Sequence, residues 1–162
     1  MLYANADQRV LGYLGRALSL ELSAVQLYST QARLVATWGL TEAAERLSSE
    51  ATEEMGHVDR IIGRNHALGV APNASQLRPV QLGRSLPELL RHDHAFENEL
   101  VKLYEDATRH CARAGDHDNR LFFETLLGEE KAHSHELVQW LEQLERPGGT
   151  ATSTQNMPRA TF

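Results

Sequence analysis

The chain has 162 residues, 41% hydrophobic and 23% charged, ordinary values for one globular domain able to bury a sizeable core. Sixteen Lys and Arg against 22 Asp and Glu give a formal charge of −6, without the basic footprint of a nucleic-acid binder. A single cysteine, Cys111, excludes an internal disulfide framework and any cysteine-only zinc site. No apolar run approaches a membrane span, and the opening MLYANADQRV has no signal-peptide core, so the expectation is a soluble cytoplasmic protein that engages neither nucleic acid nor membrane.

Glycine and proline divide the chain into four long segments. The first, 7–37, opens at Asn5 with Gln8 three residues on, the spacing of a capping box, and ends at Trp38-Gly39-Leu40-Thr41. Its apolar stripe is Leu11, Leu14, Leu18, Glu21, Val25, Tyr28, Ala32 and Val35. The second, 42–67, has the stripe Leu47, Glu50, Glu54, His57, Ile61. A longer connection, Gly69 to Arg84, holds Pro72, Asn73 and Pro79. The third, 86–113, follows the capping signal Ser85-Leu86-Pro87-Glu88 and gives Leu90, Asp93, Glu97, Leu100, Tyr104, Ala107 and Cys111. Gly115-Asp116 precedes the fourth, 117–145, with Phe123, Leu126, Glu130, His133, Leu137, Trp140 and Leu144. The division that follows is one all-α domain over 1–146, a four-helix bundle, and a flexible polar tail over 147–162.

Every stripe is interrupted by an acid near its midpoint, and two are interrupted by Glu-x-x-His, at Glu54/His57 and Glu130/His133. Midpoints of similar helices coincide in a bundle whichever way each helix runs. Residues three apart on a helix lie about 60° and about 4.5 Å from each other, so each Glu and its His face one place. Glu21, Glu54, Glu97, Glu130, His57 and His133 therefore converge in an apolar core. A lone Glu-x-x-His is ordinarily a solvated pair; six such groups at one height cannot be buried unless something neutralises them. Two divalent cations against four carboxylates balance, and carboxylate with imidazole suits iron or manganese.

These residues resemble the bacterioferritin family of the ferritin-like superfamily over about 7–145. The resemblance is carried by Leu20-Glu21-Leu22-Ser23-Ala24-Val25-Gln26-Leu27-Tyr28, Trp38-Gly39-Leu40, Glu53-Glu54-Met55-Gly56-His57, Leu68-Gly69 before Pro72-Asn73, and Glu129-Glu130-Lys131-Ala132-His133. It implies a ferritin-like bundle with a long B–C crossover and a ferroxidase that oxidises Fe(II) with O2 or peroxide, detoxifying iron and storing it as ferric mineral. It further implies Glu21 and His57 on one iron, Glu97 and His133 on the other, and Glu54 and Glu130 bridging this di-iron centre. Tyr28 matches a tyrosine close to the site. Met55 matches the axial ligand of a haem b shared by two subunits. The implied assembly is a 24-subunit homo-oligomeric cage, with a paralogous subunit as an optional second component and a ferredoxin-type electron donor for iron release.

From position alone, Asp93, one turn from Glu97, is expected to orient a histidine, and Met55 to share a face with Ala51, Val58 and Ile62. His66, His92, His94, His110, His117 and His135 read as exposed or structural, and Cys111 as packing. The chain departs from many bacterioferritins in three places: the polar tail lacks a further helix, Ser49 and Glu53 stand where some carry a His and an acid as an extra iron site, and Glu136 replaces a frequent aromatic. Competing readings are a rubrerythrin-type di-iron peroxidase, disfavoured by the lack of paired cysteines, a DNA-protecting mini-ferritin, disfavoured by ligand spacing, and a haem-carrying electron-transfer subunit of a mixed cage.

Overall fold

The computed structural model describes residues 6–74 and 76–148. It contains α1 (Gln8–Thr37), α2 (Thr41–Ala67), α3 (Leu86–Ala114) and α4 (His117–Glu145), and no strand among the described residues. The helix ends fall within one residue of those expected. Asp7, not Asn5, caps α1 by accepting from Arg9 N at 2.8 Å. Asn5 itself lies outside the described residues, as do positions 149–162 of the expected tail. Ser85 caps α3, its Oγ accepting from Glu88 N, while Glu88 turns back to accept from Arg84 N. Gly115 closes α3 in the left-handed conformation, φ 71°, a turn that costs a residue with a Cβ more than it costs glycine.

Side-chain pairs across the bundle fix its topology. Tyr28 pairs with Glu97 and Tyr104 with Glu21, so α1 and α3 run antiparallel. His57 approaches Glu130 and His133 approaches Glu54, so α2 and α4 do too. Since α1 returns directly into α2, the consecutive helices that run parallel are α2 and α3, and the connection between them must span the bundle's length. It does so along α1. A Cβ on Gly15 would meet the carbonyl oxygen of Asn73 at 3.2 Å, and Arg78 N donates to Ser23 Oγ at 3.0 Å. Here glycine is what admits the close approach of a second backbone.

The core is in two parts. One gathers Val10, Leu14, Leu18, Ile61, Leu100, Tyr104, Phe123 and Leu126 around the N-terminal half of α1. The other gathers Tyr28, Val35, Leu47, Leu89, Leu90, Leu137 and Trp140 around its C-terminal half. Between them lies a polar layer at the helix midpoints. No described helix is long and apolar enough to cross a membrane.

Candidate metal centre

All six expected residues meet in that layer. Glu21, Glu54, Glu97 and Glu130 are fully buried, and His57 and His133 nearly so. Glu21, Glu54, His57 and Glu130 each offer a ligand atom to one point; Glu54, Glu97, Glu130 and His133 offer theirs to a second. Glu54 and Glu130 belong to both groups, as bridging carboxylates must. Nδ1 of His57 stands 2.6 Å from Glu130, 3.1 Å from Glu54 and 3.4 Å from Glu21. The rings of His57 and His133 stack at 5.8 Å, and Nδ1 of His133 lies 3.2 Å from Glu54.

The buried donors are under-used, which tests whether metal fits. Apart from these close approaches to the imidazoles, Glu21 Oε2, Glu54 Oε2, Glu97 Oε2 and both oxygens of Glu130 have no hydrogen-bond partner. Buried oxygens and nitrogens normally find partners, so lone pairs aimed at one another and left over fit cations between them. The remaining oxygens of the outer carboxylates are held. Tyr28 Oη donates to Glu97 Oε1, and Tyr104 Oη to Glu21 Oε1.

Each histidine turns its other nitrogen to a carboxylate at the edge of the site. His57 Nε2 lies 2.9 Å from Glu129, itself gripped by both terminal nitrogens of Arg60. His133 Nε2 lies 2.9 Å from Glu53 and 3.9 Å from Glu50. Such partners fix which ring nitrogen faces a metal. Asp93 does not take this role, contrary to the expectation from its position. It is buried and accepts from Gln31 Nε2 at 2.7 Å. Residue 93 is four before Glu97, so it lies a full turn away along the bundle, beside Gln31 and out of reach of either imidazole.

Glu129, Glu53, Arg60 and Tyr104 carry no role in the reading from sequence. A signal for three of them exists. Glu21 and Glu97, Tyr28 and Tyr104, Glu53 and Glu129, Glu54 and Glu130, and His57 and His133 are related by one constant offset. The hairpin α1–α2 is repeated in α3–α4 with its ligand pattern intact.

Met55 lies on the same turn as His57 but stands outside the centre. Half of its surface is exposed, and Ile62 is 40% exposed, whereas Ala51 and Val58 are buried in the core. The face expected for Met55 is thus narrower, because a bundle helix buries a broad stripe. Of the remaining histidines, His110 pairs with Asp7 at 2.5 Å, and His94 and His135 meet Asn98 and Gln139 on the surface. Cys111 is buried in the first core part, where desolvation pushes its thiol up to about 11.

Comparison with known proteins gives the family and the fold. The Ferritin-like domain family matches residues 11–146. The bacterioferritin of Rhodobacter capsulatus is 37% identical over 144 residues, 89% of each chain, and that of Brucella melitensis is 32% identical over the same shares. This chain belongs to the bacterioferritin family. A solved structure of the R. capsulatus bacterioferritin, with a metal-free dinuclear site and haem iron in a crystallographic special position, superposes with a TM-score of 0.84 at 36% identity, covering 88% of this chain and 89% of that one.

Charge in this bacterioferritin's buried layer is arranged around protons. Burial drives Glu21 and Glu97 well above the usual carboxylate range, and neighbouring carboxylates add to it. Burial also works against charge on Glu54 and Glu130, but bonds from the two histidines outweigh it; Glu54 is lowered and Glu130 falls to about 2. Desolvation likewise opposes charge on the histidines, yet the carboxylates hold His57 well above its ordinary value and push His133 up to about 12. Burial and mutual repulsion thus favour the protonated form of the outer carboxyls, while the facing carboxylates favour charge on the imidazoles. A metal ion binds only the deprotonated forms, so lowering the pH opposes binding. Protons should leave as divalent ions enter at pH 7, read by a dye in weakly buffered anaerobic solution as Co(II) is added. Metal binding with no proton released would contradict this charge pattern.

Proposed function

We propose that Glu21, Glu54 and His57 with Glu130 hold one ferrous ion, that Glu97, Glu130 and His133 with Glu54 hold a second, and that this pair is where the chain oxidises iron. The observation that carries the reading is the set of buried, partnerless ligand atoms converging on two points. The chain is a ferroxidase that serves iron storage, the activity of its family. The iron pair supplies electrons to O2 or peroxide. The protein supplies the rest. Hard carboxylate oxygens favour the ferric state, and the bridges can change binding mode as charge on the metals rises. Glu129 and Glu53 keep Nδ1 of each imidazole turned inward. The apolar core parts on either side exclude water from all but the histidine edge of the site.

The exposed thioether of Met55 supports haem b ligation, paired with Met55 of a second subunit. A buried methionine would read as packing; one half exposed on a bundle helix, beside a ligand pair, reads as a site for a soft donor. The finer assembly belongs to the same reading: a cytoplasmic, homo-oligomeric cage of 24 subunits over residues 1–146, with residues 147–162 as an appendage. A ferredoxin-type protein would deliver the electrons that release stored iron through the haem.

Two substitutions test these assignments. Glu130→Gln keeps the side chain's volume but removes the bridging charge. Rapid ferric absorbance on aerobic addition of Fe(II) should slow by at least about a hundredfold, while the helical circular dichroism is retained. Kinetics within about twofold of the parent would overturn the assignment of Glu130. Met55→Leu preserves volume and apolar character. Reconstituted protein should lose its low-spin haem bands and keep its rate of ferrous oxidation; an unaltered haem spectrum would return Met55 to packing.

A further inference from the structure

The repeat that relates the two halves of the bundle fails at one buried height. One turn from the metal layer, toward the C-terminal end of α1, stand Gln31, three residues after Tyr28, Asp93, four before Glu97, and Glu50, four before Glu54. At the repeat's offset from these lie Ala107, Ala17 and Leu126, all fully buried in the first core part. Apolar side chains thus fill this height on one side of the centre, and polar ones on the other. Gln31 and Asp93 are fully buried, and Glu50 is buried beside His133, 3.9 Å from its Nε2. Gln31 turns its amide nitrogen to Asp93 Oδ1, which leaves Gln31 Oε1 and Asp93 Oδ2 without a partner. Among the described residues no cationic side chain pairs with Asp93. Buried polar atoms left over in this way call for an occupant.

Resting on the di-iron reading above, we propose that Asp93 and Gln31, with Glu50 at the same height on α2, form a third cation site that holds one partly hydrated ferrous ion beside the pair. The donors are a carbonyl and two carboxylates from three helices, the hard oxygen set that suits a divalent ion, with water in the remaining positions. A water alone could donate to both leftover oxygens, but it would give two buried carboxyls no counter-charge. Burial pushes Asp93 up to about 7 against its bond from Gln31, and Glu50 adds to the rise, so an ion entering here takes the place of a proton. Entry does not need the pair. Glu50 keeps some exposure at its rim, and Glu53 on the next turn of α2 is exposed, so the histidine edge of the bundle opens toward this layer. An ion held here waits about one helical pitch, about 5.4 Å, from the metal layer. It is substrate in store for the oxidising centre and takes no part in the centre's own ligand set.

The test uses the full chain and Mn(II), added anaerobically, with free ion counted by electron paramagnetic resonance and bound ion located by anomalous diffraction. The parent should hold three ions per bundle, two in the metal layer and one beside Asp93 and Gln31. Asp93→Asn keeps the shape and removes the charge; Gln31→Leu removes the leftover carbonyl. Each variant should keep the helical circular dichroism and both ions of the pair, and lose the third peak, with affinity for the third ion down at least about tenfold. The peak in the parent decides the matter even if a variant folds poorly. A filled pair with nothing beside Asp93 overturns the proposal and leaves the di-iron reading standing. So does a third ion that persists in Asp93→Asn, as one bound at the rim by Glu50 and Glu53 would. An empty metal layer overturns the di-iron reading itself, and this proposal with it.

Discussion

The structure depends on keeping a buried layer of ionisable groups electrically neutral. Four carboxylates and two imidazoles sit at the centre of a four-helix bundle, closed above and below by apolar side chains. Net charge there would cost far more than any single packing contact could return. The protein lowers that cost by setting histidines that favour charge against two bridging carboxylates, and by burial that favours the protonated form of the two outer acids. Two divalent ions in place of protons would balance the four carboxylates. Under the proposed assignment, metal would exchange for protons in this layer without a change in the packing of the helices.

Much of this was legible in the sequence because the layer breaks a regular pattern. Glu21, Glu54, Glu97 and Glu130 occupy positions where a bundle stripe demands an apolar residue, and each lies near its helix midpoint. That conflict between period and polarity picks out the ligands without knowledge of the turns between helices. The helix ends were legible for the usual reasons, Ser85 as a cap and Gly115 as a stop. What was hidden depends on side-chain reach. Glu53 and Glu129 lie off the stripes, where acids are normally solvated, and only the fold turns them toward His133 and His57. Asp93 has the stripe position of a ligand's helper, but its axial rise takes it to Gln31. Tyr104 reads as one more core aromatic until its hydroxyl is seen to meet Glu21.

The repeat of α1–α2 in α3–α4 explains both the symmetry of the centre and where that symmetry stops. Ligands, tyrosines and the carboxylates behind the histidines all recur at the same offset. Beyond them it breaks. Arg60 neutralises Glu129 behind His57, but the equivalent position is Glu136, and Glu53 behind His133 is joined by the buried Glu50, whose carboxyl burial raises to about 7. One half of the centre is therefore clamped by a cation and the other is edged with acid. The two candidate positions have matching donors and unequal surroundings, so two ions held there would differ in how tightly they are kept.

The account's central claim is that the six groups form one paired site whose carboxylates Glu54 and Glu130 serve both ions. Anomalous diffraction from crystals soaked anaerobically in Mn(II) measures this directly. The account predicts two peaks in the buried layer of each bundle, about 3.5–4 Å apart, one beside Glu21 and His57, the other beside Glu97 and His133, with Glu54 and Glu130 reaching both. A single peak in that layer, or metal found only at surface acids, would contradict it.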